Sequence, residues 1–334
     1  MPRLLDPIKI GSLKLKNRLV MPPMATNYAD KNGEVTDKLI QHYTERSRNL
    51  GLLIVEYSYI TGQGKTSPNQ LGVHADKLIP GLRRLVEAVK ANDTPIALQI
   101  NHGGSAASSE VTGQQPVAPS PIKHPRRGEE TPHQLEFDEI EEIIKLFKDA
   151  ARRAAAAGFD AVEVHGAHGF LLNQFLSPLT NKRKDQYGGD LENRVRLPCR
   201  IIEEVRDELG SGYPIIYRIG ADDLLPGGTT IREGVKAARK IAEKSVQVMD
   251  VSGGLGGSRG DDLRGPGYFV PQASEIKKTL DIPVIGVGGI TTPDEADEFI
   301  RSEKVDLVAV GRAILRDEEW ATKATEYLRT YRNK

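Results

Sequence analysis

The chain has 334 residues, of which 38% are hydrophobic, and its 46 Lys and Arg residues balance 46 Asp and Glu residues. A formal net charge of zero gives no electrostatic reason to expect nucleic acid or an anionic membrane surface as a partner, so we expect a small-molecule substrate. No apolar run approaches the roughly 20 residues that cross a bilayer, and the first residues lack the apolar core of a secretory signal, which predicts a cytoplasmic protein.

The first predicted element is a β-hairpin. In residues 8–17, IKIGSLKLKN, apolar and polar residues alternate on both sides of a Gly-Ser pair, which is a hairpin signal. We expect this hairpin to close the bottom of the domain that follows it.

A repeated unit of strand and helix fills the rest of the chain. The apolar runs, separated by longer segments of helical period, are RLVMPP, LLIVEYS, PIALQIN, AVEVHGA, PIIYRIG, VMDVSGG, PVIGVGG and LVAVGRA. Eight such units in about 300 residues predict an α/β fold, a (β/α)8 TIM barrel, as one domain over residues 1–334. A doubly wound parallel sheet is the alternative, but its glycine-rich turn would follow the first strand, where MPPMATN has no glycine.

Three of the intervening segments carry helix signals. Residues 138–158 and 191–210 place apolar residues at helical spacing and end in glycine. In ITTPDEADEFI, Thr292 suits the N-cap and Pro293 suits the first helical position. We therefore predict a helix in each segment.

Polar residues occur at the carboxyl ends of several predicted strands. Because strand side chains alternate, Glu163 shares a face with His165, and Asp250 shares a face with Ser252. In a barrel these strand ends form the active-site mouth. We therefore expect one pocket built from Gln99, His165, Arg218 and Ser252. A hydrogen-bonded polar layer of the core is the alternative, although arginine is seldom buried without an anionic partner.

Glycines follow the last three predicted strands, in DVSGGLGG, IGVGGI and VGRAI. Glycine lets a phosphate approach backbone N–H groups closely, and barrels commonly bind phosphate after strands seven and eight. Arg312 would add a charged contact. Glycine is also common in such turns without any ligand, but beside the polar mouth these residues suggest a phosphorylated cofactor.

The histidines His165 and His168 follow the fourth predicted strand. A metal site there lacks an evident third ligand, and the single cysteine, Cys199, excludes a disulfide and a cysteine-only metal site. A purely structural histidine pair is a second possibility. The third is a pair of N–H donors that stabilise negative charge on one carbonyl oxygen, and we expect no metal.

The segment HGAHGFLLNQFLSPLTNKRKDQYGGDLENR closely resembles the signature of the Old Yellow Enzyme family of flavin-dependent ene-reductases. LKNRLVMPPM, ALQINHGG, YRIGADD, GVGGI and VGRAI resemble the same family, so that the similarity extends over residues 5–328. The resemblance implies a TIM barrel that binds FMN non-covalently across its mouth.

The resemblance also implies a role for individual residues. His165 and His168 would be the catalytic pair that holds the activating oxygen of the substrate. Substrate contacts would come from Asn27, Tyr28, Phe170 and Tyr268. The cofactor-binding residues would be Pro23, Met24, Ala25, Tyr59, Gln99, His165, Arg218, Ser252, Gly253, Gly288, Gly289, Gly311 and Arg312.

The reaction implied by the family is ping-pong. NADH or NADPH gives a hydride to flavin N5 and leaves, and N5 then delivers it to an α,β-unsaturated carbonyl or nitro compound. Reduction of quinones or nitro groups, or oxidative demethylation, is the alternative on the same fold. A flavin-free aldolase or isomerase that acts on a sugar phosphate belongs to a different class, and a pure flavin-binding protein is a further one.

Larger members of the family carry an iron–sulfur cluster and a second nucleotide domain. We expect neither in this protein, and we expect electrons to come directly from the nicotinamide nucleotide. Family members often form dimers or tetramers, and we expect a homo-oligomer.

Two residues depart from the family pattern. Phe170 stands where the usual proton donor is a tyrosine, and a phenyl ring donates no proton. The candidate replacements are Tyr28, Tyr59, Tyr268 and His102. Ala25 stands where relatives have a cysteine or threonine that tunes the flavin, with Thr26 one residue further on.

The loop between residues 101 and 133 is long and rich in proline, and we expect it to shape the substrate entrance. Its Arg126 and Arg127 either meet a nicotinamide phosphate or a CoA group, or are solvated surface charges.

Overall fold

The computed structural model describes residues 1–258 and 263–332. Its strands, numbered in chain order, are β1 (Ile8–Ile10), β2 (Leu13–Leu15), β3 (Leu19–Met21), β4 (Leu52–Tyr59), β5 (Ile96–Asn101), β6 (Val117–Ala118), β7 (His133–Gln134), β8 (Ala161–Gly166), β9 (Ile215–Gly220), β10 (Val248–Ser252), β11 (Val284–Val287) and β12 (Leu307–Ala309).

The α-helices are α1 (Asp37–Arg46), α2 (Ile79–Lys90), α3 (Ser109–Thr112), α4 (Phe137–Ala157), α5 (Leu171–Leu176), α6 (Leu191–Arg194), α7 (Arg196–Leu209), α8 (Ile231–Ala242), α9 (Val270–Lys277), α10 (Pro293–Arg301), α11 (Arg312–Arg316) and α12 (Trp320–Arg332). Short 3-10 turns occur at Gly62–Gly64, Asp76–Leu78 and Gly104–Ala106. None of the described helices is both long and apolar enough to span a membrane.

Eight parallel strands close into a barrel in the order β3, β4, β5, β8, β9, β10, β11 and β12, after which β12 pairs with β3. These are the eight predicted strands. Each pair of chain-consecutive barrel strands is adjacent, and helices lie between them, so the TIM barrel is confirmed and the doubly wound sheet is wrong.

The lower half of the barrel interior is an apolar plug. Its residues come from the early positions of the strands and include Ala97, Ala161, Ile216 and Val248. Hairpin β1–β2 pairs Ile8 with Leu15, and its Ile10 and Leu15 pack into the same cluster. The hairpin therefore closes the bottom of the barrel, as predicted, and the burial of these side chains stabilises it.

The predicted helix signals have the expected local geometry. Helix α4 ends at Gly158, which has φ of 96°, a conformation that glycine adopts without strain. The Thr292 side chain accepts a hydrogen bond from the Glu295 N–H, and Pro293 occupies the first position of α10. The Thr292 side chain satisfies one of the backbone N–H groups that a helix start leaves without a partner, and Pro293 has no such N–H group.

The segment 191–210 forms two helices rather than one, because α6 ends at Arg194 and α7 begins at Arg196. The reason is Pro198. Proline has no N–H to donate to the carbonyl four residues earlier, here that of Arg194, and its ring clashes with that carbonyl. The helical path is interrupted at this turn, while the predicted glycine end at Gly210 is observed.

The long loop after β5 has secondary structure of its own. Strands β6 and β7 pair in parallel, with Val117 opposite His133. The buried Arg183 guanidinium donates to the Pro119 carbonyl at 3.1 Å, which ties the loop to the segment after β8. The loop is therefore attached to the mouth of the barrel.

Candidate active site

The inward side chains become polar above the apolar plug. Gln99 lies opposite Glu163, and Arg218 lies between His165 and Asp250 in register. All five side chains are buried. The structure thus brings Gln99, His165, Arg218 and Ser252 to one mouth, as strand alternation predicts.

Charged groups form the floor of this mouth. The Gln99 Nε2 atom donates to Glu163 Oε1 at 2.7 Å, and Arg218 Nε lies 3.1 Å from Asp250 Oδ2. Burial, followed by the charge of Asp250, raises the pKa of Glu163 well above its usual range. Burial also raises the pKa of Asp250, but the Arg218 guanidinium opposes that shift. The floor therefore holds a Glu163 carboxyl with a raised pKa next to an Asp250–Arg218 ion pair.

The two histidines lie side by side at the rim. Their ring centroids are 5.0 Å apart and the planes are nearly perpendicular. Burial, followed by the charge of Arg218, lowers the pKa of each imidazole well below its usual range. His168 has φ of 59°, and its N–H donates to the Gly253 carbonyl at 3.0 Å. Both rings are therefore neutral, and a left-handed turn aims the second one at the first.

A chain of hydrogen bonds assigns the tautomers of this pair. The Ala167 N–H donates to His165 Nδ1 at 3.4 Å, which leaves the ring proton on Nε2. His165 Nε2 lies 3.3 Å from His168 Nδ1, and His168 Nε2 lies 2.7 Å from Ser252 Oγ. Each ring then carries its proton on Nε2, so that His165 donates to His168 Nδ1 and His168 donates to Ser252 Oγ.

A cavity of about 320 Å³ opens beside the pair. It is lined by Pro22, Met24, Arg218, Ser252, Ser258, Tyr268, Phe269, residues 287–291, Ala309 and Gly311, and by Arg312, Ala313 and Arg316. Gly288 has φ of 123° and Gly289 has φ of 64°. A Cβ atom on Gly288 would lie 2.6 Å from Tyr268 Cδ2. These turns therefore need glycine, and backbone and arginine donors surround the space.

This cavity fits FMN in its chemistry. Its far end has the glycine turns and two arginines, Arg312 and Arg316, which suit a phosphate. Its near end has the buried Arg218 guanidinium, a charged donor that also pairs with Asp250 through Nε at 3.1 Å. A polar ring edge of the flavin is the partner that such a donor needs.

Other predicted site residues lie further from the histidine pair. Tyr268 lies over the glycine turn, where its hydroxyl accepts from Arg312 Nη2 at 3.0 Å, so it is at the arginine end rather than beside a substrate at the pair. Tyr59 stacks on His74, and its hydroxyl donates to the Asn32 carbonyl. Tyr59 does not line the cavity, because its ring is held between His74 and the Asn32 carbonyl.

The segment after β3 carries the remaining predicted residues. Pro23 is partly buried and Ala25 is exposed, whereas Met24 lines the cavity. The Asn27 side chain accepts from Ser67 Oγ at 2.6 Å, and Tyr28 packs edge-on against the His42 ring. Asn27 therefore has a partner in the loop after β4, and Tyr28 has one in helix α1.

Glu56 anchors this segment from below. Its carboxylate accepts from the Thr26 backbone N–H and, at 2.9 Å, from Thr26 Oγ1. Burial raises the pKa of Glu56 to about 7, although the two Thr26 bonds oppose the shift. Thr26 is therefore held by Glu56 instead of pointing to the cavity.

Sequence reasoning missed Tyr57. Its ring stacks on Phe170 with centroids 5.4 Å apart, and Phe170 in turn contacts the His165 ring edge-on at 5.0 Å. The register of β4 against β5 shifts between Val55 and Ser58, so simple alternation does not place the residues after Val55. No sequence pattern in LLIVEYSY predicts this shift of register.

Gly289→Ala should weaken FMN binding about five- to thirtyfold. Its φ of 64° costs a side-chain-bearing residue about 1–2 kcal/mol, which the turn relieves by moving its N–H groups out of place. Titration of the flavin-free protein by quenching of FMN fluorescence measures this. Gly212→Ala is the control, because a Cβ there meets nothing within 4 Å. Equal affinity in both variants would mean that this turn does not hold the phosphate.

The chain matches the NADH:flavin oxidoreductase / NADH oxidase family over residues 3–330. It is 44% identical over 332 residues to an NADH oxidase of Thermoanaerobacter brockii, which covers 97% of this chain and 51% of that protein. It is 41% identical over 317 residues to an NADPH dehydrogenase of Clostridium acetobutylicum, covering 94% and 92%.

Solved structures agree with the fold. An Old Yellow Enzyme homologue from Zymomonas mobilis superposes with a TM-score of 0.85 at 27% identity, covering 98% of this chain and 93% of that one. The chain spans about half the length of the first two curated relatives it matches and nearly all of the dehydrogenase.

Proposed function

The chain belongs to the NADH:flavin oxidoreductase / NADH oxidase family, with FMN as its cofactor and NADH or NADPH as the reductant, and from that premise we propose that it is an ene-reductase. Its substrates are α,β-unsaturated carbonyl or nitro compounds, of which it reduces the activated C=C bond. The family match gives no support to the flavin-free aldolase or isomerase.

The observation that carries the proposal is the neutral histidine pair at the rim of the cavity. Gly288, Gly289, Gly311 and Arg312 hold the phosphate of FMN, and Gln99 and Arg218 face the polar edge of the ring. The backbone of residues 23–25 and Ser252 and Gly253 complete the cofactor site. FMN, when bound, takes a hydride from the nicotinamide and supplies it to the carbon β to the activating group.

The chain's own contribution is to stabilise charge on the activating oxygen of the substrate. His165 and His168 exchange their bonds to His168 Nδ1 and Ser252 Oγ for that oxygen, and they donate their Nε2–H groups to it as negative charge develops on it. Neutral imidazoles serve this purpose because they are donors that do not transfer a full proton, and their burial keeps competing water away. Before the substrate binds, Ser252 Oγ accepts the His168 Nε2–H at 2.7 Å.

Proton delivery to the neighbouring carbon needs a group other than Phe170. We assign it to Tyr57, whose ring lies against Phe170 and whose hydroxyl accepts from Thr66 Oγ1 at 3.3 Å. The earlier candidates are engaged elsewhere, with Tyr59 and Tyr268 bonded to backbone carbonyls. His102 is fully buried, and burial lowers its pKa to about 3, so the ring is neutral near pH 7 and has no imidazolium proton to give.

Tyr57→Phe should slow reoxidation of the reduced enzyme by cyclohexenone about ten- to a hundredfold. The upper figure is the lower end of the rate contribution that general acids usually make. Anaerobic stopped-flow absorbance measures the rate. Tyr59→Phe is the matched control and should leave the rate near that of the wild type. If Tyr57→Phe is equally fast, the proton comes from solvent or from another residue.

A second candidate function is reduction of quinones or nitro groups. Phe170 favours it, because two-electron reduction of a quinone protonates oxygen atoms, which exchange protons with water readily. Either function gives the same reductive half with NADPH.

The visible spectrum of the purified protein without oxygen tests both functions. Addition of NADPH should bleach the flavin absorbance, and cyclohexenone should then restore it. Restoration by benzoquinone but not by the enone would favour the second candidate. A protein that binds no FMN would overturn the proposal.

A further inference from the structure

A positively charged subsite lies beside the histidine pair, and Ser258 lines both it and the larger cavity. A cavity of about 180 Å³ is lined there by His124, Arg126, Arg127, His168 and residues 255–258. The guanidinium carbon of Arg127 lies 5.1 Å from the centroid of the Phe170 ring. That ring also contacts His165 edge-on. The arginine and the catalytic histidine therefore share one aromatic wall.

The loop that carries Arg127 is fastened to the turn that carries His168. His124 is 5% exposed, and its Nε2 donates to the Gly169 carbonyl at 2.9 Å. Its Nδ1 accepts the N–H groups of Arg126 at 3.1 Å and of Arg127 at 2.9 Å. Burial lowers the pKa of His124 to about 4, so the ring is neutral and has both a donor and an acceptor atom. The backbone of Arg127 is thus held by a buried histidine, while its side chain is exposed to solvent.

The Arg127 guanidinium lacks a carboxylate partner within the described part of the chain, where its recorded side-chain contact is the face of Phe170. An arginine packed on an aromatic face keeps its N–H fork free for planar, two-point recognition of an anion. The same fork lowers the pKa of both catalytic histidines by its charge. It therefore acts on the space in which the substrate oxygen would lie.

We propose that Arg127 binds an anionic group of the substrate, a carboxylate on the same small skeleton as the unsaturated carbonyl. This inference rests on the proposed function. The substrate would be held at two points, with its carbonyl at the histidine pair and its carboxylate at Arg127 across Phe170. The small volume of the cavity and its direct contact with His168 favour a compact keto acid, whereas a phosphate of the nicotinamide nucleotide offers the same kind of anion from another molecule.

Equilibrium binding separates the subsite from catalysis. The saturated compound 3-oxocyclohexanecarboxylate and its methyl ester differ in the anion alone, and neither is reduced. Calorimetry on the oxidised FMN-loaded protein should give a Kd for the acid that rises about ten- to a hundredfold in Arg127→Gln, the range for a charged two-point contact. The Kd for the ester should change little, and Arg127→Lys should recover part of the affinity for the acid.

Lys123→Gln is the control, because Lys123 is exposed on the same loop and does not line the cavity. Equal effects of Arg127→Gln on acid and ester, or no effect on either, would overturn the proposal. So would a change confined to the NADPH concentration that half-saturates flavin reduction, since the anion would then belong to the reductant. Wild-type turnover of the corresponding unsaturated methyl ester tests the ene-reductase function separately, without any carboxylate.

Discussion

His168→Ala should lower the rate at which cyclohexenone reoxidises the reduced enzyme about 100- to 1000-fold, the cost of losing one donor to a developing oxyanion. The reductive half with NADPH should change much less, because no oxyanion develops there. Anaerobic stopped-flow measurement of the two half-reactions separates these effects.

His168→Asn provides the conservative variant. Asparagine has an N–H donor and tolerates the left-handed backbone, which at His168 has φ of 59°. It should recover much of the lost rate, whereas an alanine at this residue lacks the donor. His133→Ala, at an exposed histidine on β7, should behave as wild type. Similar rates for the alanine and asparagine variants would show that the ring is not an oxyanion donor.

The lowered pKa values of the pair also predict a pH dependence of stability. The folded state keeps both rings neutral, while the unfolded chain protonates them near their ordinary pKa of about 6.5. Below that pH the unfolded state binds more protons, so the free energy of unfolding should fall as pH falls. Urea unfolding between pH 7 and pH 5 should show a shallower fall in a His165→Gln/His168→Asn double variant than in the wild type.

Arg218→Met should lower the free energy of unfolding by about 3–5 kcal/mol at pH 7, because it leaves the buried Asp250 carboxylate without its partner. The cost should shrink toward pH 4. Without Arg218 the pKa of Asp250 in the folded state is raised further above its value in the unfolded chain. The variant is therefore destabilised least at low pH, where Asp250 is protonated, and more as pH rises. Urea unfolding of the flavin-free protein keeps loss of the cofactor out of the comparison.

A second substitution identifies the cause. Arg218→Met/Asp250→Leu should recover most of the loss, since an apolar pair of similar volume needs no charge compensation. Arg232→Met, at an exposed residue of α8, should change stability by no more than about 0.5 kcal/mol. If the double variant is as unstable as the single one, packing rather than charge explains the loss.

The barrel was predictable because its signals are local. Each strand is a short apolar run, and caps such as Thr292 and Gly158 act within a few residues of their helix ends. The split between α6 and α7 was also visible in principle, because Pro198 is a breaker. The convergence of Gln99, His165 and Arg218 followed from alternation, which the regular strands β5, β8 and β9 keep.

Other features depended on contacts that no local pattern encodes. Tyr57 reaches Phe170 because of an irregularity in β4. Tyr268 lies at the arginine end because α11 brings Arg312 to its hydroxyl. The raised pKa of Glu163 follows from its burial and from two strands that bring it close to Asp250. The roles of the individual site residues remain predictions that the variants above test.

The hairpin at the bottom of the barrel has a kinetic consequence. Ile10 and Leu15 fill the lower end of the interior, so nicotinamide and acceptor must both arrive at the rim that carries the histidines. The nicotinamide nucleotide and the acceptor therefore cannot occupy this site at the same time. Each should therefore act as a competitive inhibitor of the other's half-reaction, and turnover at fixed NADPH should pass through a maximum and decline as the enone concentration is raised.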